Sequence, residues 1–179
     1  MKLPLLLLVL AGTVGFLRAA DLDPAAQTKI SAKLVEIKTW AADPVIVGAV
    51  VAQNAALPPE YAAMTQEKWK ALTVLDPFVR SFAKNPAGAF LKSKKAPWVG
   101  EAFLSDAKGV KVAFLSKPTN WSHAGKAKHD QPLSGRDWEG SVELDESTGL
   151  QQLQVAVPVL KDGAPVGVLT VGLSLSKLD

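Results

Sequence analysis

Residues 151–175, QQLQVAVPVLKDGAPVGVLTVGLSL, constrain this chain more than any other stretch. Leu153, Val155, Val157 and Val159 alternate with Gln154, Ala156 and Pro158. Leu169, Val171, Leu173 and Leu175 alternate with Thr170, Gly172 and Ser174. A period of two is that of a β-strand with one buried face. Between the runs, Lys161, Asp162, Gly163, Ala164 and Pro165 supply turn chemistry, and Asp-Gly supplies the positive φ angles of a tight hairpin. A hairpin this apolar belongs in the middle of a sheet. It is scaffold, not a catalytic loop.

The same period extends back to residue 96. Residues 98–105 and 110–115 read as strands about a turn at Asp106-Ala107-Lys108-Gly109, with glycine at its end. Residues 138–144 read as a further strand, turned into the final hairpin by Glu146-Ser147-Thr148-Gly149. That makes about five strands with antiparallel connections. Upstream the period is that of helices. Asp23-Pro24, Asp43-Pro44, Asp76-Pro77 and Asn85-Pro86 each place an N-cap before a proline at the first helical position. On the first helix, Ile30, Leu34, Ile37, Trp40 and Ala41 share one face. The second, from Pro44, carries Val45, Ile46, Ala49 and Val50 and is broken at Leu57-Pro58-Pro59. Thr65 caps a helix bearing Trp69 and Leu72. A run of helices followed by a run of strands argues an α+β fold. The expected organisation is a single domain over residues 21–179, mainly helical to residue 95 and sheet beyond it.

Residues 1–20 carry Lys2, then an apolar run, then Arg18-Ala19-Ala20. The run is shorter than the ~20 residues of a spanning helix and fits a secretory signal peptide, cleaved or retained as an anchor. Either form implies export, to the periplasm or the medium. Hydrophobic residues at 48% against 21% charged exclude a disordered chain. The absence of cysteine excludes a disulfide framework, a thiol nucleophile and a thiolate metal site. The net charge is +3, but Lys2 and Arg18 lie in the leader, so the remainder is close to neutral and gives no argument for nucleic acid.

Residues 116–135 form a long polar stretch with no clear period, read as a structureless connection. His123, His129, Asp130 and Asp137 offer metal-ligating chemistry, but the two histidines are six residues apart on a loop with nothing to aim both, and read as solvated. Asp145 and Glu146 are adjacent, so a strand would point them to opposite faces and they make no acid–base pair. No Gly-x-Ser-x-Gly elbow occurs. No constellation supports an enzyme, and none calls for a cofactor. Trp121 lies in the polar stretch beside His123. With Lys126 and Arg136 it would suit a small organic anion, the ring giving apolar contact and the arginine a bidentate clamp. Lys92, Lys94 and Lys95 end the helix from Pro86 and read as complements to its dipole.

Residues 102–113, AFLSDAKGVKVA, are similar to the strand–Asp-x-x-Gly–strand hairpin of the extracytoplasmic Cache-type sensor domains, which have a PAS-like fold. Lys117-Pro118-Thr119-Asn120-Trp121 resembles the family's following Lys-Thr-Ser-Asp-Tyr segment, and residues 144–149, 155–159 and 163–169 resemble its last strands. The helical part resembles the stand-alone, secreted version. The resemblance implies N-terminal helices packed on a PAS-like antiparallel sheet. It implies a periplasmic or secreted small-molecule-binding sensor module without its own output domain. A membrane receptor or kinase would be its signalling partner, and a homodimer could form through the first helix. No nucleic-acid partner is expected, on the near-neutral charge alone. Where the family often carries Gly-Asp-Glu, this chain has Ala124-Gly125-Lys126, which favours an anionic ligand over an amine. The expected ligand set is Trp121, His123, Lys126 and Arg136, with Asp145 placed at the pocket edge by the resemblance. The alternative is a structural or interaction protein that keeps the fold and has lost the pocket.

Overall fold

The computed structural model describes residues 22–145 and 150–178, so the expected leader and the turn at residues 146–149 lie outside the described residues. Six helices come first: α1 (Pro24–Ala41), α2 (Pro44–Ala55), α3 (Pro59–Ala62), α4 (Gln66–Ala71), α5 (Pro77–Lys84) and α6 (Pro86–Ser93). Then follow β1 (Val99–Asp106), β2 (Lys111–Phe114), α7 (Ala127–Leu133), β3 (Trp138–Asp145), β4 (Leu150–Lys161) and β5 (Ala164–Ser174), closed by a 3₁₀ turn at Leu175–Lys177. No helix among the described residues is long and apolar enough to cross a membrane.

The caps work as the sequence implies. Asp23 accepts from the Ala26 amide, Asp43 from Val45, Asp76 from Phe78 and Asn85 from Gly88, at 2.7–3.0 Å. Each satisfies one of the amides that a helix start leaves without an intrahelical partner. Asp76 starts the short α5, which buries Val79 and Phe82. Asp76→Ala should therefore cost about 1 kcal/mol, read as a lower denaturant midpoint with an unchanged slope.

The sheet order is β2-β1-β5-β4-β3, with every pair antiparallel. The final hairpin is central, as its composition requires: β5 lies between β1 and β4. Its turn is Asp162-Gly163, at φ of 52° and 82°, the conformation that favours Asp-Gly. With the helices to the side, this is a PAS-like α+β arrangement.

Alternation divides the sheet into two faces. On one face, Ala102, Leu104, Leu153, Val155, Val157, Leu169, Val171 and Leu173 pack against Ile30, Ile37 and Trp40 of α1 and Ile46 and Val50 of α2. Leu34 is half-buried on the same stripe. On the other face, Phe103 pairs with Thr170, and Thr170 with Ala156. A second cluster there holds Trp69, Val79, Phe82, Phe103, Phe114 and Trp121.

Two parts of the helical reading are corrected. The Leu57-Pro58-Pro59 break ends α2, but Pro59 also opens a single turn, α3. The stretch at residues 116–135 is not structureless: it contains α7, which packs on β3, β4 and β5. Helix α7 has seven residues, an interior proline at Pro132 and no side-chain cap at Lys126. It buries His129 and Pro132 instead of aliphatic residues, so no apolar period announces it.

Candidate functional site: a buried polar layer under the connection

The face of the sheet turned away from α1 and α2 carries ionisable side chains. Its centre is Phe103 on β1. The His123 ring stacks on it, with centroids 4.7 Å apart and planes 12° from parallel. Lys111 Nζ lies 4.7 Å from the Phe103 centroid and Lys128 Nζ lies 5.8 Å from it. Two amines thus share one aromatic ring, within the range where a cation feels the ring quadrupole.

A β-bulge aims Lys111 at this layer. Leu104 pairs with Ala113, but Ser105 pairs with Lys111, so Val112 is the extra residue on β2. Val112 and Ala113 both join the α1/α2 core. Without the extra residue Lys111 would be turned toward that core. With it, Lys111 faces His123, and Lys111 Nζ and His123 Nδ1 are hydrogen-bonded. Lys111 is fully buried.

Among the described residues Lys111 is in no ion pair. Asp106 is buried, but its Oδ1 accepts from the Lys108 and Val110 amides and its Oδ2 from Gln53 Nε2, each at 2.9 Å. Glu101 Oε1 accepts from Gln154 Nε2, and Gln154 Oε1 accepts from Lys128 Nζ at 2.7 Å. The ion pairs among the described residues are Lys33–Glu36, Lys38–Asp137 and Lys161–Asp162, none of them in this layer.

Electrostatics follow from that arrangement. Burial, with the Lys128 cation adding to it, holds the Lys111 amine well below the ordinary lysine range, against the opposing pull of Asp106 and Glu101. Burial lowers Lys128 as well. His123 is pushed down to about 2, first by burial and then by Lys111 and Lys128. Burial also lowers His129, whose Nδ1 has no hydrogen-bond partner among the described residues. The layer is rich in donors; Glu101 and Glu143 pull the other way on Lys128, and burial outweighs them.

The Lys111–His123 bond can be weighed by a double-mutant cycle. His123→Phe alone leaves a buried amine without its partner and should cost about 1–3 kcal/mol. Adding Lys111→Met removes the orphan and should recover most of that loss, because apolar groups of similar shape replace both partners. Chemical denaturation of His123→Phe, Lys111→Met and the double variant checks it, and additive losses would contradict the pairing.

The residues singled out from the sequence are placed as follows. His123 is in the layer, buried and not solvated as the loop reading had it; His129 is also buried, on α7. Their burial follows from α7 closing over the sheet. Trp121 is 5% exposed and sits among Tyr61, Trp69, Phe78 and Phe82. Lys126 is exposed at the start of α7. Arg136 is exposed, and its Nε donates to Ser134 Oγ. Asp145 ends β3, and its side chain lies outside the described residues. Sequence reasoning missed Lys111, Lys128, Phe103, Glu101 and Gln154. The available signal was Lys111 itself, a lysine within a four-residue strand whose other members are apolar.

No family model and no curated protein matches the chain. Among solved structures it is similar to the sensor domain of the V. cholerae histidine kinase DctB, with 16% identity and a TM-score of 0.48 over 86% of this chain and 54% of that one. It is similar to the ligand-binding domain of the Pseudomonas aeruginosa PAO1 amino acid chemoreceptor PctC in complex with GABA, with 16% identity and a TM-score of 0.49 over 86% and 57%. It is also similar to the E. coli DcuS sensor domain, with 14% identity and a TM-score of 0.46 over 87% and 96%. The chain spans a little over half the length of the first two. The fold assignment rests on this chain's own sheet order and layering.

Proposed function

We propose that this chain is an exported, Cache-like binding module that takes a small organic anion against the Phe103 face of its sheet. One observation carries the reading: two lysine amines face the same buried ring and neither is in an ion pair among the described residues, while Asp106 and Glu101 Oε1 already accept other hydrogen bonds. A cation in a low-dielectric site is costly until an anion joins it. Lys111 and Lys128 would hold the carboxylate, His123 would donate or accept beside it, and Phe103 would give apolar contact. From the sequence-based set, Lys126 and Arg136 would act at the rim and Asp145 at the far edge, while Trp121 would support the wall from behind. Binding, not catalysis, is the proposed activity. A membrane receptor or kinase would read the ligand state, and a second copy would meet α1 on its outer side, where Val35 is 66% exposed.

The test is a thermal-shift screen of the purified protein with small mono- and dicarboxylates, amino acids and amines, followed by calorimetry. Carboxylates should raise the melting temperature and simple amines should not. Lys128→Met should weaken the best carboxylate about tenfold, the worth of one charge-assisted hydrogen bond. A second reading has its own support: Lys111 with His123, and Lys128 with Gln154 and Glu101, form bonded sets that fill the layer from within. If no compound in the screen shifts the melting temperature, the layer is structural and the protein keeps the fold without the pocket.

A further inference from the structure

We infer that the cleft between α5, α6 and the first two strands is a separate site for a small polyanion bearing two or more carboxylate or phosphate groups. The cleft has a volume of about 360 Å³, and Arg80, Lys84, Lys92 and Lys95 line it over an apolar floor that includes Phe114 and Leu115. No acidic residue lines it among the described residues. None of the four cations is in an ion pair among the described residues. The dipoles of α5 and α6 account for Lys84 and Lys92, each in the last turn of its helix. Neither dipole accounts for Arg80, which is in the middle of α5 and lines the same cleft.

Cations gathered around one concavity repel each other, and low-dielectric walls focus their field on whatever enters. A ligand of several negative charges relieves that repulsion, and a planar guanidinium beside three amines suits carboxylate or phosphate oxygens. The volume is that of a small-molecule pocket. The site shares no residue with the Lys111–His123–Lys128 layer, so the inference stands apart from the proposed function.

The experiment is calorimetry on the intact protein with citrate as the polycarboxylate and fructose 1,6-bisphosphate as the phosphate ester, with sodium chloride at matched ionic strength as control. At least one probe should bind at a single site, and which one identifies the head group. Arg80→Ala and the pair Lys92→Glu with Lys95→Glu should each weaken that probe at least about tenfold. All three residues are exposed, so the melting temperature should hold. Lys128→Met should leave this binding unchanged. The inference is overturned if neither probe binds or if chloride at equal ionic strength competes fully. It is also overturned if the cleft variants bind as well as the parent, or if Lys128→Met abolishes binding, which would put the probe in the sheet-face layer.

Discussion

Replacing Trp69 by alanine is expected to cost about 3–5 kcal/mol of folding stability, a large share of the ~5–15 kcal/mol that holds a typical domain together. Trp69 is fully buried and is the anchor of the short helix α4. Its ring packs on Trp121, Phe82 and Phe114 at centroid distances of 5.1, 6.1 and 6.0 Å. Its Nε1 donates to the Pro118 carbonyl at 2.7 Å, and Lys117 Nζ lies 4.5 Å over the ring. Gln66, one turn earlier, donates to the Thr119 carbonyl and accepts from the Trp121 amide, both at 2.9 Å. Helix α4 therefore fastens the start of the connection that covers the polar layer. Alanine would leave a cavity in an aromatic cluster with little freedom to collapse, and an unpaired carbonyl at Pro118. Trp69→Phe keeps most of the apolar contact and should cost less, mainly the lost hydrogen bond, about 1 kcal/mol. Urea denaturation of both variants provides the comparison. An alanine variant within about 1 kcal/mol of the parent would mean that the cluster is not a core.

Acid should weaken the fold through His123. The ring titrates near 6.5 when unfolded and is pushed down to about 2 in the folded protein. Between those values the unfolded chain binds the extra proton and the folded chain does not. The stabilisation is fully present above the unfolded value and is lost as pH falls below it, by up to about 1.4 kcal/mol per pH unit. His129, also lowered, acts with the same sign. Denaturation measured from neutral pH down to about pH 4.5 should show a steep fall in the parent. In His123→Gln, which keeps a polar side chain beside Lys111 but cannot titrate, the fall should be shallower by about one proton's slope. Parallel curves would show that the ring is not held neutral.

Much of the fold could be read from the sequence because local rules and tertiary structure agree there. Asp-Gly at residues 162–163 adopts the positive φ angles it favours, and the alternating valines and leucines of β4 and β5 lie in the centre of the sheet. Each acidic or amide residue before a proline caps its helix. The candidate site was less legible, for two physical reasons. A bulge carries no compositional mark, so alternation alone gave no sign that Val112 would turn Lys111 onto the Phe103 face. Helix α7 buries a histidine and a proline under a polar sequence, so the connection read as open loop and its histidines as solvated. Trp121 was singled out because it is an aromatic in a polar stretch. The partners that enclose it, Tyr61, Trp69 and Phe78, lie 43–60 residues earlier and no local pattern points to them.

The proposal turns on a buried amine that is short of a counter-charge, and proton linkage reads that directly. Calorimetric titration of the parent with the best carboxylate from the screen should be run at alkaline pH, because burial lowers the Lys111 amine, in two buffers of different ionisation enthalpy. An anion seated beside Lys111 raises its proton affinity, so the binding enthalpy should change with the buffer by an amount equal to uptake of about one proton per ligand. Lys111→Met should reduce the buffer dependence, leaving only the smaller uptake at Lys128, whose amine burial also lowers. Carboxylate binding with the same enthalpy in both buffers would contradict the account and place the ligand away from Lys111.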